Sequence, residues 1–244
     1  MTTKTFGENG FRWFVGIVED RDDPEKLGRV KIRIFDTHDD KTRVPKDDLP
    51  WAFILVSPLS SSSNNVGLSP VGLQVGSTVL GFYADGNECQ IPIVMGSMHG
   101  VVDGKHDVHP LAREINNLTK NKLGPEPSSP YKAKYPFNKV FASESGHVVE
   151  FDDTPGKERV HLYHRTGTYY EIDEKGNKVE KTVSDDYEIV AGKKEVFVAG
   201  NVNVVVRGNV TMRVDGNYKL DIGGTCNVTS GGNMAFKAPR IDWN

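Results

Sequence analysis

Glycine recurs at Gly192, Gly200, Gly208, Gly216, Gly224 and Gly232, a spacing of eight residues held without a slip. In four of these copies asparagine follows, at Asn201, Asn209, Asn217 and Asn233. Gly-Asn is a turn pair, since both residues tolerate positive φ. Gly176-Asn177 sits in the same register two repeats earlier, with Ser184 between. Inside the repeats apolar residues alternate: Val202, Val204 and Val206, then Val210, Met212 and Val214, then Tyr218, Leu220 and Ile222. Cys226, Val228, Met234 and Phe236 continue the series, while Asn203, Arg207, Thr211, Arg213, Lys219 and Asp221 fall between. Period-two alternation places these two sets on opposite faces of a strand. Each repeat thus reads as one short strand closed by a glycine turn. A single-chain solenoid needs roughly 18 or more residues per coil to enclose a core, so one octad supplies one side only. The economical solution is three identical chains wound about one axis, with the alternate apolar residues meeting in a dry centre. A flat meander within one chain is the alternative, and the strict spacing without longer loops argues against it.

The N-terminal part has a different grammar. Between Phe11 and Met98 lie FRWFVGIVED, GRVKIRIFD, PWAFILVSP, STVLGFYAD and QIPIVMGSM, short runs rich in Val, Ile, Phe and Tyr and bounded by turn residues. In GRVKIRIF, Val30, Ile32 and Ile34 alternate with Arg29, Lys31 and Arg33, which predicts one face on a core and one in water. Five such strands suit a closed OB-like barrel, whose closure removes the sheet edges that invite aggregation. The run from Ser60 to Ser63 with Asn64, Asn65 and Gly67 predicts a surface loop.

Residues 99–136 read as a linker: a helix-compatible stretch, LAREINNLTKNK, then four prolines, Pro125, Pro127, Pro130 and Pro136. Proline neither donates to a sheet nor continues a helix, so the segment is stiff and extended. Beyond it, FNKVFASESGHVVEFDD and ERVHLYHRTGTYYEID predict further strands with turns at Ser145-Gly146 and Pro155-Gly156. The expected fold is all-β, with an OB-fold barrel over 1–98, the linker over 99–136 and an intertwined trimeric β-helix over 137–244, its octads clearest over 192–239.

Gly is frequent at 25 residues and charged residues make up 26% of the chain, which favours strands and turns over long helices. The formal charge of -3 gives no excess of cations for tracking phosphates, which speaks against nucleic acid as a partner. Cys89 and Cys226 lie in different predicted modules, so they read as free, buried thiols. The opening MTTKTFGENGFRWF lacks the apolar region of a signal peptide, which predicts a soluble chain folding in the cytoplasm.

Taken in order, GIVEDRDDPEKLGRVKIRIFDTH, LPWAFILVSP and VGSTVLGFYADGNECQIPIVMGSM resemble the OB module of contractile-tail phage central spikes and of the related valine-glycine-repeat spikes of type VI secretion systems. With the FNKVFASESGHVVEFDD region and the octads, the resemblance covers nearly the whole chain. It implies a structural, membrane-puncturing homotrimer in a virion tail baseplate, assembled in the host cytoplasm. Its barrels would dock under a hub ring, its β-helix would point at the host outer membrane, and a small separate tip protein would cap the C-terminal end at FKAPRIDWN, where Trp243 covers the core. Some members carry a lysozyme domain between barrel and helix. Roughly 38 linker residues are too few for a folded glycosidase, so any cell-wall hydrolase is expected to be another protein. A receptor- or glycan-binding tail fibre is the competing reading.

No residue set predicts a cofactor, metal or catalytic centre. His106 and His109 lack further ligands, and His161 and His164, three apart in a strand, point to opposite faces. No His follows His164 to build a metal-binding tip. Asp20, Asp22 and Asp23 lack calcium-loop spacing and predict a solvated turn. Ser143-Glu144-Ser145-Gly146-His147 lacks a nucleophile elbow. Trp13, Trp51, Phe53 and Phe82 offer aromatic surface on strands, expected to pack in the core or between subunits.

Overall fold

The computed structural model describes residues 10–64, 66–102, 105–106, 124 and 126–242. The helix-compatible stretch at 111–122, His109 and Trp243 lie outside the described residues, among which there is no α-helix.

Five predicted strands close a barrel: β1 (Trp13–Asp20), β2 (Val30–Ile34), β3 (Trp51–Ile54), β4 (Thr78–Tyr83) and β5 (Pro92–Met98). Their order around the barrel is β1-β2-β3-β5-β4, with β4 returning to β1. The pairing of β3 with β5 is parallel and the others are antiparallel. This is the Greek-key barrel of an OB fold. Alternate residues enter the core, which consists of Phe14, Val18, Val30, Ile32, Ile34, Ala52, Val79, Tyr83 and Val94. Gly81 marks a bulge between β4 and β5, where a Cβ would collide with the Ile93 carbonyl and the Phe14 ring.

The outer face of β2 is drier than simple alternation predicts. Lys31 is buried, its Nζ donating to the carbonyls of Lys46 (3.3 Å) and Asp47 (2.7 Å). Arg33 is held by Glu19, its Nε 2.9 Å from Oε1. Long cationic side chains lie along the barrel wall and place only their tips on polar partners.

Acidic side chains build the barrel's loops. Asp23 accepts from the backbone N–H groups of Glu25, Leu27 and Arg29, and from the Arg29 guanidinium at 2.7 Å. Asp20 accepts from the Asp22 N–H at 2.9 Å. Buried Asp85 accepts from the N–H of Gln90 (2.7 Å) and Ile91 (3.1 Å).

After the short hairpin β6 (Val101–Val102) and β7 (Lys105–His106), the chain forms an antiparallel meander. It comprises β8 (Asn138–Ala142), β9 (Val148–Asp152), β10 (Arg159–Tyr163), β11 (Tyr169–Ile172) and β12 (Lys178–Lys181), ordered β8 to β12 across the sheet. Gly146, Gly156, Gly167 and Gly176 turn the four hairpins, all at positive φ.

The chain divides into two compact units, Met1–Asp186 and Tyr187–Asn244. In the second, residues 187–242 run extended with paired bends at 191–192, 199–200, 207–208, 215–216, 223–224 and 231–232, one per octad. None of these described residues joins a strand pair within the chain, and all are exposed. The i, i+2 contacts of Arg213 with Asp215 (3.0 Å) and Lys219 with Asp221 (2.6 Å) are those of an extended backbone with one charged face.

Candidate assembly surfaces

The octad stretch carries an exposed apolar stripe. Val202, Val204, Val206, Val210, Met212, Val214, Tyr218, Leu220, Ile222, Val228, Met234 and Phe236 are all exposed, Val204 at 77% and Phe236 at 63%. Cys226 is a free, exposed thiol on the same stripe and Cys89 is free and half-buried, so neither is the fully buried thiol expected from the sequence. The octad glycines differ from the sequence reading in one respect. None of Gly192, Gly200, Gly208, Gly216, Gly224 and Gly232 has φ in the left-handed region, and a Cβ on any of them would meet nothing within 4 Å in this chain. They bend the chain without the positive φ that Gly176 adopts.

The β8–β12 meander carries its charges inward. Asn138, Glu150, Asp152, Arg159, His161, Glu171 and Lys181 are buried, Glu171 being 2% exposed. The register sets Arg159 opposite Asp152 and His161 opposite both Glu150 and Glu171. Arg159 joins the two glutamates, bonding Glu150 and lying 2.7 Å from Glu171 Oε2; His161 Nδ1 is 2.8 Å from the same oxygen. Asn138 donates to Glu150 at 2.6 Å. Burial pushes the Glu171 carboxyl up, but hydrogen bonds from His161 and Arg159 outweigh it and hold it below its ordinary value. The proline-rich segment closes this face: Tyr131 lies 4.9 Å from the Arg159 guanidinium, Glu126 pairs with Lys181 at 3.0 Å, and the Lys134 N–H donates to Thr154 Oγ1 at 2.9 Å. Burial raises the Tyr131 phenol. Linear reading missed this cluster, although Glu150/Asp152, Arg159/His161 and Glu171 stand at period two with complementary charge on neighbouring strands.

The opposite face presents Phe141, Val149, Phe151, Val160 and Leu162, all exposed, Leu162 at 56%, with half-exposed Tyr170 and Ile172 beside them.

Residues weighed for chemistry lie elsewhere. Ser143 Oγ accepts the His147 N–H at 3.0 Å and lies 3.2 Å from Ser145 Oγ, so it closes a hairpin. His147 and His164 pack with ring centroids 4.4 Å apart and planes tilted by 43°, while His161 is buried and stacks on Tyr169. Among the described residues no group of three or more His, Cys, Asp or Glu is placed to hold a metal ion. On the barrel, Phe11, Trp13 and Phe82 form an aromatic cluster, the Trp13 and Phe82 rings 6.0 Å apart. Trp51 lies under Arg29 and Lys31, and Arg29 also reaches Phe53.

An OB barrel joined to a charged-core β-meander and a regular octad stretch defines a modular, all-β assembly protein. Residues 35–110 match the Gp5 N-terminal OB domain family. The chain is similar to Protein Gp5 of Vibrio phage KVP40, 32% identical over 263 residues that cover 79% of this chain and 62% of that protein. It is also similar to the pre-baseplate central spike protein Gp5 of Enterobacteria phage T4, 47% identical over 81 residues covering 30% of this chain and 14% of that protein. The chain thus spans less than two thirds of the length of either relative.

Proposed function

We propose that this chain is the structural central spike of a contractile injection machine, a rigid homotrimeric needle carried under the tail tube. The observation that supports it most is the octad stretch. A segment of 56 described residues, 187–242, that joins no strand pair inside the chain and leaves its apolar side chains exposed is incomplete by itself. Exposed apolar surface is costly in water, and three copies winding around one axis would bury it while pairing between chains the backbone groups that burial would otherwise strand. The even-numbered stripe from Val202 to Phe236, including Cys226, then forms the dry core over 192–239, and Gly192 to Gly232 turn the corners. The spike domain covers 137–244, with the barrel over 1–98 and the linker over 99–136. Separating such chains breaks many layers at once, which gives the needle its stiffness.

In this reading the barrel docks to a baseplate hub protein, a separate small tip protein covers the C-terminal end, and the target is the host outer membrane. The protein acts mechanically in the virion tail baseplate after assembly in the host cytoplasm, with no catalytic role. Negative-stain microscopy of the purified full-length chain tests the proposal. Particles with a narrow shaft at one end are expected, whereas uniformly compact particles would contradict it.

A further inference from the structure

We infer that Arg21 and Glu144 form a releasable electrostatic latch that seats the barrel on the hairpin end of its own β8–β12 sheet. Arg21 follows the last residue of β1, and Glu144 lies in the turn between β8 and β9, 123 residues further on. The guanidinium engages both carboxylate oxygens, Nη1 bonding Oε1 and Nη2 donating to Oε2 at 2.9 Å. This is the two-bond fork that arginine makes with a carboxylate, and it fixes orientation as well as distance.

Each partner is presented by its own loop. In the β1–β2 loop Asp20 pairs with Lys46 at 2.9 Å and Asp23 with Arg29 at 2.7 Å, so the Arg21 guanidinium reaches to a carboxylate outside the barrel. On the sheet, the Ser143 N–H donates to the His147 carbonyl at 2.9 Å and the Gly146 N–H to the Ser143 carbonyl at 2.9 Å, a closed turn that carries Glu144. Side chains fixed at their roots lose less freedom on pairing, and that loss is what makes most exposed ion pairs weak. Hydrogen bonding to Arg21 holds the Glu144 carboxyl below its ordinary value of 4.5.

The contact is also built to open. Beside the pair lies a cleft of about 280 Å³ whose other walls, Asp22, Gly28, Val30, Pro70, Val71 and Leu73, all belong to the barrel. Here the sheet brings a carboxylate and no apolar side chain to fill the cleft. Modules that meet without a large apolar interface move relative to one another unless something specific holds them. Arg21 is 37% and Glu144 52% exposed, so salt screens the pair that does the holding. The end of the linker stays with the sheet in either state, tied through Glu126 to Lys181 and through Tyr131 to Arg159. With the latch closed, a push on the barrel enters the sheet along a fixed line. With it open, the barrel is free to turn relative to the sheet. The latch lies within one chain, so it stands apart from the number of copies in the assembly.

Carbodiimide cross-linking of the full-length chain tests this, because it joins an amine to a carboxylate where the two touch. Two variants supply the amine, R21K and the reversed pair R21E/E144K. The native Lys157–Glu174 pair, 2.9 Å apart within the sheet, is the internal standard. Both replaced side chains are partly exposed, so circular dichroism and tryptophan fluorescence should match those of the unaltered chain. At about 0.05 M salt both variants should give a link between positions 21 and 144, and its yield relative to the standard should fall about two- to fivefold at about 0.5 M. Refolding isotopically heavy and light chains together before linking shows whether both positions belong to one chain. Absence of the link at low salt where the standard forms, a relative yield unchanged by salt, or a link that joins heavy to light chains each overturns the inference. None of these outcomes bears on the spike reading.

Discussion

Replacing Arg159 by Met should damage the meander out of proportion to the volume changed. Met fills much of the space of the arginine stem but leaves Glu150 and Glu171 buried with no guanidinium between them. Breaking a buried ion pair from one side costs about 3–5 kcal/mol, mostly the desolvation of the charge left behind. For a chain of this length that corresponds to an apparent unfolding midpoint lower by about 6–20 °C. The pH dependence separates this cause from simple loss of packing. In the unaltered chain Glu171 is held below its ordinary value of 4.5, so its contribution is complete above that pH and is lost as pH falls through the lower folded value. Without Arg159 the burial of Glu171 acts with less opposition and its pKa rises, so the variant regains stability as the carboxyl takes up a proton. Thermal unfolding by circular dichroism at equal chain concentration should therefore show a gap between the two proteins that is widest near pH 7 and narrower near pH 4. A gap below about 1 kcal/mol, or one equal at both pH values, would refute the reasoning.

Other perturbations probe the barrel and the octads. Asp85→Ala removes the acceptor of two backbone N–H groups and should destabilise the barrel by about 2–4 kcal/mol in denaturant titrations followed by tryptophan fluorescence. Gly81→Ala should cost about 1–3 kcal/mol or more by the same assay, because the added methyl group meets the Ile93 carbonyl and the Phe14 ring. Arg29, bonded to Asp23, holds that carboxyl well below its ordinary value of 3.8. Its stabilising contribution is present above that value and lost as pH falls below it, so the deficit of Asp23→Asn should be measurable at pH 7 and shrink toward pH 2. Val204→Asp would put a carboxylate into the proposed dry core and should dissociate the assembly in gel filtration while leaving barrel fluorescence unchanged.

The barrel was legible because its strands are short, apolar and separated by strong turn residues; all five runs between Phe11 and Met98 became barrel strands. Alternation misjudged Lys31, since a four-carbon stem can lie along a wall and bring its ammonium to backbone carbonyls. The meander was harder. Alternation separated Glu150 from Phe151 and His161 from Leu162, but it does not say which face is covered, and a hydrophobic rule selects the wrong one. Cross-strand charge matching of Arg159 with Glu150 and Glu171 is what reverses it, and that depends on a register no linear reading supplies. For the octads, spacing foretold the bends at each glycine, while their backbone conformation was not recoverable from the Gly-Asn pairing.

The central claim is that three chains complete what one leaves open. Light scattering on the purified full-length protein measures this most directly. The account predicts a mass three times the 27.0 kDa of a single chain, persisting on dilution. A mass of one chain at micromolar concentration would contradict it, and would leave the stripe from Val202 to Phe236 in water.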